Sequence, residues 1–212
     1  MKLISVNIGN AQPDPRNPLK TSGIYKTPVS GAVAITPLGM ENDVIVAVKH
    51  HGGPDQAVYV YTREDYAWWS DQLGRDLPPG TFGENLTITG FSSADLNIGD
   101  TLIVGAVTLQ VSAPRIPCET FAARMGDPAF VKKFRHGERP GAYCRVLQPG
   151  HVQSGDPARL ESFTDATISL LDVYRDYYAP QKNAAAIQRI LAAPIALRIR
   201  QKKEEQLRSV LE

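Results

Sequence analysis

Thr101-Leu102-Ile103-Val104-Gly105-Ala106-Val107-Thr108-Leu109-Gln110-Val111-Ser112-Ala113 carries the clearest β signal in the chain. Apolar and β-branched residues lie on both sides of Gly105-Ala106, so two strands, 101–104 and 107–113, are predicted with a two-residue hairpin turn between them. Similar short β-rich runs, punctuated by Gly and Pro, extend outward in both directions. Residues 2–8, 29–36, 43–49, 86–89, 142–148 and 158–162 read as strands, and 57–61 as a short buried strand or the lead-in to a helix. Residues 62–73 read as a helix, with Thr62 and Asp65 as its capping box and Gly74 as its stop. About eight or nine short strands with a single inserted helix predict a mainly β fold, a mixed or antiparallel barrel rather than a parallel α/β sheet.

Composition changes sharply near residue 163. All 17 glycines and all but two of the 16 prolines precede residue 164; only Pro180 and Pro194 follow. The tail is rich in Ala, Leu, Ile, Gln, Lys, Arg and Glu, mostly good helix formers. It is predicted to form three helices, 165–176, 183–193 and 195–211, separated by the two prolines, with Lys203 interrupting the apolar stripe of the third. The chain is therefore divided into a barrel domain, 1–163, and a three-helix module, 164–212. A module of that size buries little apolar surface alone, so it is expected to pack on the barrel or on a second subunit in a homodimer.

The 212 residues are 42% hydrophobic and 21% charged, which suits a substantial core and excludes wholesale disorder. Lys and Arg number 23 against 22 Asp and Glu, a net charge of +1, which argues against a nucleic-acid polymer as partner. The basic cluster from Arg198 to Arg208 reads as a solvated helix face. Two cysteines are too few for a disulfide-stapled secreted scaffold. The apolar runs fall short of the roughly 18 residues a membrane span needs, and the N-terminal Met1–Asn10 has no signal-peptide pattern. A soluble, cytoplasmic protein with no membrane partner is expected.

Three stretches carry more polar chemistry than a plain barrel needs. Lys49-His50-His51-Gly52-Gly53-Pro54-Asp55 follows a predicted strand, and its adjacent glycines can form an anion-binding nest beside His51 and Asp55; the alternative is a polar turn. Thr81-Phe82-Gly83-Glu84-Asn85-Leu86 offers Glu84 and Asn85 to a heterocycle edge or to neighbouring backbone. Ala113-Pro114-Arg115-Ile116-Pro117-Cys118 holds a thiol in a loop stiffened by two prolines, with Arg115 near enough to favour the thiolate; a small buried hydrophobe is the other reading of Cys118. Cys144, in a strand pattern, reads as core. Two Cys and four His without Cys-x-x-Cys or His-x₃₋₅-His spacing make a zinc site improbable. Phosphate-loop and nucleophile-elbow motifs are absent from the sequence.

Five segments taken together resemble the MOSC domain family, a molybdenum-cofactor family, and its YiiM-like branch with a three-helix extension. They are Gly23-Ile24-Tyr25-Lys26-Thr27-Pro28-Val29, Lys49 to Ala57, Phe82-Gly83-Glu84-Asn85-Leu86, Pro114-Arg115-Ile116-Pro117-Cys118 and Tyr143-Cys144-Arg145-Val146-Leu147. The resemblance implies a β-barrel that binds molybdopterin in a cleft, with Cys118 ligating molybdenum. It also implies that Lys26 contacts the cofactor and that Arg115, the His51-Gly52-Gly53 turn and Asn85 line the same cleft. Soft thiolate ligation suits such a metal. The implied activity is reduction of N-hydroxylated compounds such as hydroxylaminopurines, with His51 as proton donor and catalytic partner of Cys118. Electrons are expected from a separate electron-donating reductase, since no flavin, haem or iron–sulfur motif is present. The alternative is a carrier that uses Cys118 as a persulfide site and turns over no substrate.

Overall fold

A computed structural model describes residues 1–14, 17–46, 52–165 and 167–211. The strands are β1 (Lys2–Gly9), β2 (Gln12–Asp14), β3 (Asn17–Ser22), β4 (Lys26–Pro28), β5 (Val33–Thr36), β6 (Gly39–Met40), β7 (Val58–Thr62), β8 (Leu86–Thr89), β9 (Thr101–Val104), β10 (Val107–Pro114), β11 (Ala142–Gln148), β12 (Gly150–Val152) and β13 (Ala158–Glu161). The helices are α1 (Arg63–Leu73), α2 (Glu119–Met125), α3 (Phe130–Gly137), α4 (Leu170–Tyr178), α5 (Ala184–Ala192) and α6 (Leu197–Leu211).

The β9–β10 hairpin forms as expected, with Val104 opposite Val107. Gly105 takes φ 55, the left-handed conformation such a turn requires. The main sheet runs β13-β9-β10-β11-β7-β8-β1-β4. Its pairs are antiparallel except β7–β8. That parallel pair needs a crossover, and α1 supplies it. Thr62 caps α1 by accepting from the Asp65 amide at 3.1 Å, and Gly74 ends it in the left-handed region, so this helix was legible residue by residue.

The expected closed barrel is not what forms. The free edge of β1 is shared between two partners: its last residues, Asn7–Gly9, pair with β4. Its first residues meet the chain just ahead of β13 through the single bridge Lys2–Pro157 and the bonds Leu3 N to Asp156 O (2.9 Å) and Gly155 N to Leu3 O (2.8 Å). With the edge divided in this way, no ladder joins β13 to β1, and the result is a sheet-dominated fold with several helices. Two further expectations change. Residues 29–36 form a strand only from Val33, with Gly31 at φ 84 ahead of it. Within the predicted strand 43–49, residues 43–46 are irregular, and the remainder lies outside the described residues. The stretch after Cys118, for which the sequence reading gives no element, holds α2 and α3, whose Phe121, Phe130 and Phe134 are buried.

The apolar interior has two parts. One is aliphatic and lies against the sheet; Leu170, Val173, Ile190, Ala193 and Ile195 of the tail belong to it. The other is aromatic, centred on Tyr59, Tyr61, Tyr66, Trp69, Phe82, Phe121 and Phe134. Tail and sheet are also joined by polar bonds: Ala196 N donates to Ser112 O (2.9 Å) and Leu197 N to Asp55 Oδ2 (2.6 Å), placing a carboxylate at the positive end of α6. Lys203 does not face solvent. It is 4% exposed, ion-paired with Asp176 of α4 and bonded to Gln206 Oε1 at 2.8 Å.

A buried polar network stiffens the junction of β1 and β8. Glu84 Oε1 accepts from Tyr66 (2.7 Å), Thr87 (2.7 Å) and the Gly80 amide (2.6 Å), while Oε2 is buried without a partner. Burial outweighs these bonds and raises the Glu84 carboxyl above its ordinary range. A carboxyl raised in the folded state stabilises at pH below its unfolded value, and that contribution is lost as pH climbs through the folded value.

Two outcomes follow from this packing. Lys203→Met should destabilise by about 3 kcal/mol in denaturant unfolding, because it strands Asp176 in a buried place, and adding Asp176→Leu should recover most of the loss. Glu84→Gln cannot ionise, so the stability of the wild type relative to this variant should fall as pH rises from about 4.5 towards neutrality; a pH-independent difference would show that Glu84 holds no excess proton affinity.

Candidate functional site

Where β7, β10 and β11 lie side by side, their ends and the loops around them enclose a cavity of about 610 Å³. Lys26, Asn85, Arg115 and Cys118, four residues drawn from three separate motifs, line it together with Tyr59 and Tyr143.

Arg115 follows the last residue of β10. Its side chain is only 4% exposed, and its guanidinium lies over the Phe121 ring at 4.3 Å and the Tyr59 ring at 5.1 Å. Nη1 donates to the Phe82 carbonyl, whereas Nε is buried with no partner. Among the described residues Arg115 forms no ion pair. A guanidinium stays charged when buried, so this cavity wall carries a positive charge that has no ion-pair partner among the described residues; the Asp14 carboxylate lines the same cavity. Gly83 turns the neighbouring loop at φ 72; a Cβ there would crowd the Ile24 side chain at 3.1 Å and stand in ordinary contact, 3.8 Å, with Arg115 Nη1. Burial pushes the phenols of Tyr59 and Tyr143 up, against the pull of the Arg115 charge, so both rings are neutral walls.

Lys26 is arranged differently. It is 8% exposed and ion-paired with Asp43, and burial lowers its ammonium despite that carboxylate. Asp43 also accepts from Asn85 Nδ2 (2.9 Å) and the Gly9 amide (2.8 Å). Asn85 Oδ1 in turn accepts from the Tyr59 amide at 3.0 Å. Lys26 is therefore neutralised as a charge but keeps donors for the cavity, and Asn85 is fixed at both ends by protein. Asp43 was missed from sequence, where it reads as part of a strand. The one available signal was that a buried lysine needs a carboxylate, without any indication of which.

Cys118 caps the start of α2 after Pro117 and is partly exposed. It lies on the cavity wall and also on that of a second cavity on the tail side. Cys144 is fully buried in β11, and burial pushes its thiol up to about 12, which suits the structural part read for it.

The glycine turn does less than expected among the described residues. Lys49, His50 and His51 lie outside them. Gly52 is buried and Gly53 takes φ 95, opening a one-turn 3-10 helix, Pro54–Gln56; neither glycine lines the cavity, but Gln56 does. Asp55 points away into the fold, accepting from Arg145 Nε at 2.8 Å as well as from the start of α6. Glu84 faces its own buried network rather than a heterocycle.

The cavity suits an anionic, metal-bearing group. A guanidinium that forms no ion pair among the described residues, the lysine and amide donors and a partly exposed thiol converge on it, with the Asp14 carboxylate also in the lining. No cluster of three or more His, Cys, Asp or Glu able to hold a metal occurs among the described residues. A metal here would have Cys118 as a soft protein ligand and take its other ligands from its own cofactor. No helix among the described residues is long and apolar enough to cross a membrane.

The family model of the MOSC domain matches residues 47–159. The chain is 37% identical over 191 residues to "Uncharacterized protein YflK" of Bacillus subtilis (strain 168), covering 90% of this chain and 86% of that protein. It is 34% identical over 181 residues to a "Reductase" of Gibberella moniliformis, covering 82% of this chain but 29% of that longer protein. The crystal structure of YiiM from Geobacillus stearothermophilus superposes with a TM-score of 0.80 at 30% identity, over 97% of this chain and 98% of that one. MOSC domains are associated as a family with the molybdenum cofactor. On fold and sequence alike, the chain belongs to the MOSC domain family and is YiiM-like within it.

Proposed function

We propose that this protein is a molybdenum-cofactor-dependent reductase of N-hydroxylated compounds, hydroxylaminopurines being the favoured class. The observation that carries the reading is Arg115: a buried guanidinium that forms no ion pair among the described residues, on the same cavity wall as the partly exposed Cys118 thiol. The reductase name of the fungal relative supports the reaction type.

When bound, the cofactor supplies the two-electron chemistry that converts an N-hydroxylamine, two protons and two electrons into an amine and water. Everything else falls to the chain. Cys118 gives the metal its protein thiolate. Arg115 holds the cofactor's anionic portion in a dry, aromatic-walled place where charge-assisted bonds are strong. Lys26, kept near neutral overall by Asp43, donates hydrogen bonds without adding net charge. Asn85 and the Gly83 bend keep these groups in fixed positions, a preorganisation that limits the reorganisation cost of binding. His51 remains the proposed proton donor on the sequence argument alone. Residues 1–163 would hold the cofactor and 164–212 form the cover on the tail side of Cys118. A separate reductase delivers the electrons, and the proposed compartment is the cytoplasm, where thiols stay reduced.

Two measurements test this reading. Cys118→Ala, expressed in a host that makes the cofactor, should keep the wild-type thermal midpoint within a few degrees but lose molybdenum retention and N-hydroxyl reduction. Full activity in that variant, or a labile sulfane sulfur on Cys118 with no metal in the wild type, would sink the reductase in favour of a sulfur carrier. Arg115→Met should lower cofactor retention at least about 100-fold, the scale of a lost buried charge-assisted contact. The same change should leave cofactor-free stability within about 1 kcal/mol of wild type or above it, because the desolvation relieved by replacing a buried charge with an apolar group offsets the loss of the Phe82 carbonyl bond and the two ring contacts.

A further inference from the structure

The second cavity, about 760 Å³, lies between the Pro114–Cys118 loop and the tail helices α4 and α6. Cys118, Thr120, Tyr143 and Gln56 line both cavities, so the thiol stands in a shared wall and is approachable from the tail side when the first cavity is filled.

The tail side of this chamber is cationic. Lys182, Arg198, Lys202 and Lys203 line it, against the carboxylates of Asp176 and Glu119. Asp176 is already taken by Lys203. Lys182 donates only to neutral acceptors, the backbone carbonyls of Asp176 and Tyr177, and Lys202 lies over the Tyr177 ring at 5.1 Å. Neither Lys182 nor Lys202 forms an ion pair among the described residues. Burial lowers the Lys182 ammonium, and the nearby charges of Lys203 and Lys202 push it the same way against Asp176, so these ammonium groups lie close enough to repel. Like charges gathered around a concave site raise the local concentration of anions. The volume falls within the range of small-ligand pockets.

We infer that this chamber is the substrate side of the site and that it takes a small organic anion, whose phosphate or carboxylate is held by Lys182 and Lys202 while its other end reaches Cys118. This deepens the proposed function and rests on it for the word substrate: the N-hydroxylated compound would carry an anionic group, as a nucleotide does, rather than enter as a neutral base. The anion site itself belongs to the protein without its cofactor.

The test uses full-length, cofactor-free protein and the rate at which neutral iodoacetamide alkylates Cys118, read by mass spectrometry; buried Cys144 is the internal control. Adenosine 5′-monophosphate should slow alkylation about fivefold at saturation, and adenosine should not. Lys202→Glu, at an exposed position that leaves the fold intact, should raise the nucleotide concentration for half-protection about tenfold, and Lys202→Arg should restore it. Adenosine 5′-carboxylate in a parallel arm identifies which anion is preferred, and protection by either supports the site. Equal protection by adenosine and its phosphate, or undiminished protection in Lys202→Glu, overturns it. Should the anion protect while cofactor-loaded protein reduces no N-hydroxyl compound, the proposed reaction fails and the anion site stands.

Discussion

The guanidinium of Arg115 is the constraint around which the site is built. Burying a cation away from water costs several kcal/mol unless other groups stand in for the solvent. Here the stand-ins are one backbone carbonyl, from Phe82, and two aromatic faces, Phe121 and Tyr59. Each must be delivered from a different part of the chain. Gly83 lets the loop turn so that the Phe82 carbonyl reaches the guanidinium. α2 supplies Phe121, and the central order β10-β11-β7 sets Tyr143 and Tyr59 on neighbouring strands beside the end of β10, which Arg115 follows. The arrangement satisfies the cation in part and leaves Nε buried without a partner.

Lys26 shows the other solution to the same problem. Its charge is cancelled by Asp43, and that carboxylate also ties Asn85 and the Gly9 amide. One cavity thus contains two buried cations in different electrostatic settings: Lys26 is paired with Asp43, and Arg115 forms no ion pair among the described residues. The near-zero charge of the whole chain conceals this focus, because the field in the cavity depends on which cations lack partners and not on the total.

Asp55 and Cys118 connect this centre to the tail. The Gly-Gly-Pro-Asp turn spends its carboxylate on Arg145 and on the start of α6, and thereby fixes the tail against the sheet. That docking places Lys182 and Lys202 across a second chamber from Cys118. The tail's helices contribute to the same aliphatic core as the strands, so its position is determined by burial as well as by these polar ties.

Elements with short-range signals are legible in the sequence. The β9–β10 hairpin follows from a glycine at a left-handed turn, α1 from its threonine cap and glycine stop, and the three tail helices from composition and proline spacing. The thiol in a Pro-Arg-x-Pro-Cys loop and the structural part of Cys144 were legible in the same way. Tertiary structure alone decided what depends on pairing between distant residues: that β1 divides its edge between β4 and the residues before β13 and so leaves the sheet unclosed, that Asp43 neutralises Lys26, and that Lys203 is an interior ion pair with Asp176. It also decided that Phe121, Phe130 and Phe134 form helices packed into an aromatic core. Charge partners and strand edges are chosen by proximity after folding, which composition and periodicity do not encode. That is why the cysteine could be singled out in one dimension, while the unpaired charge beside it became visible only in three.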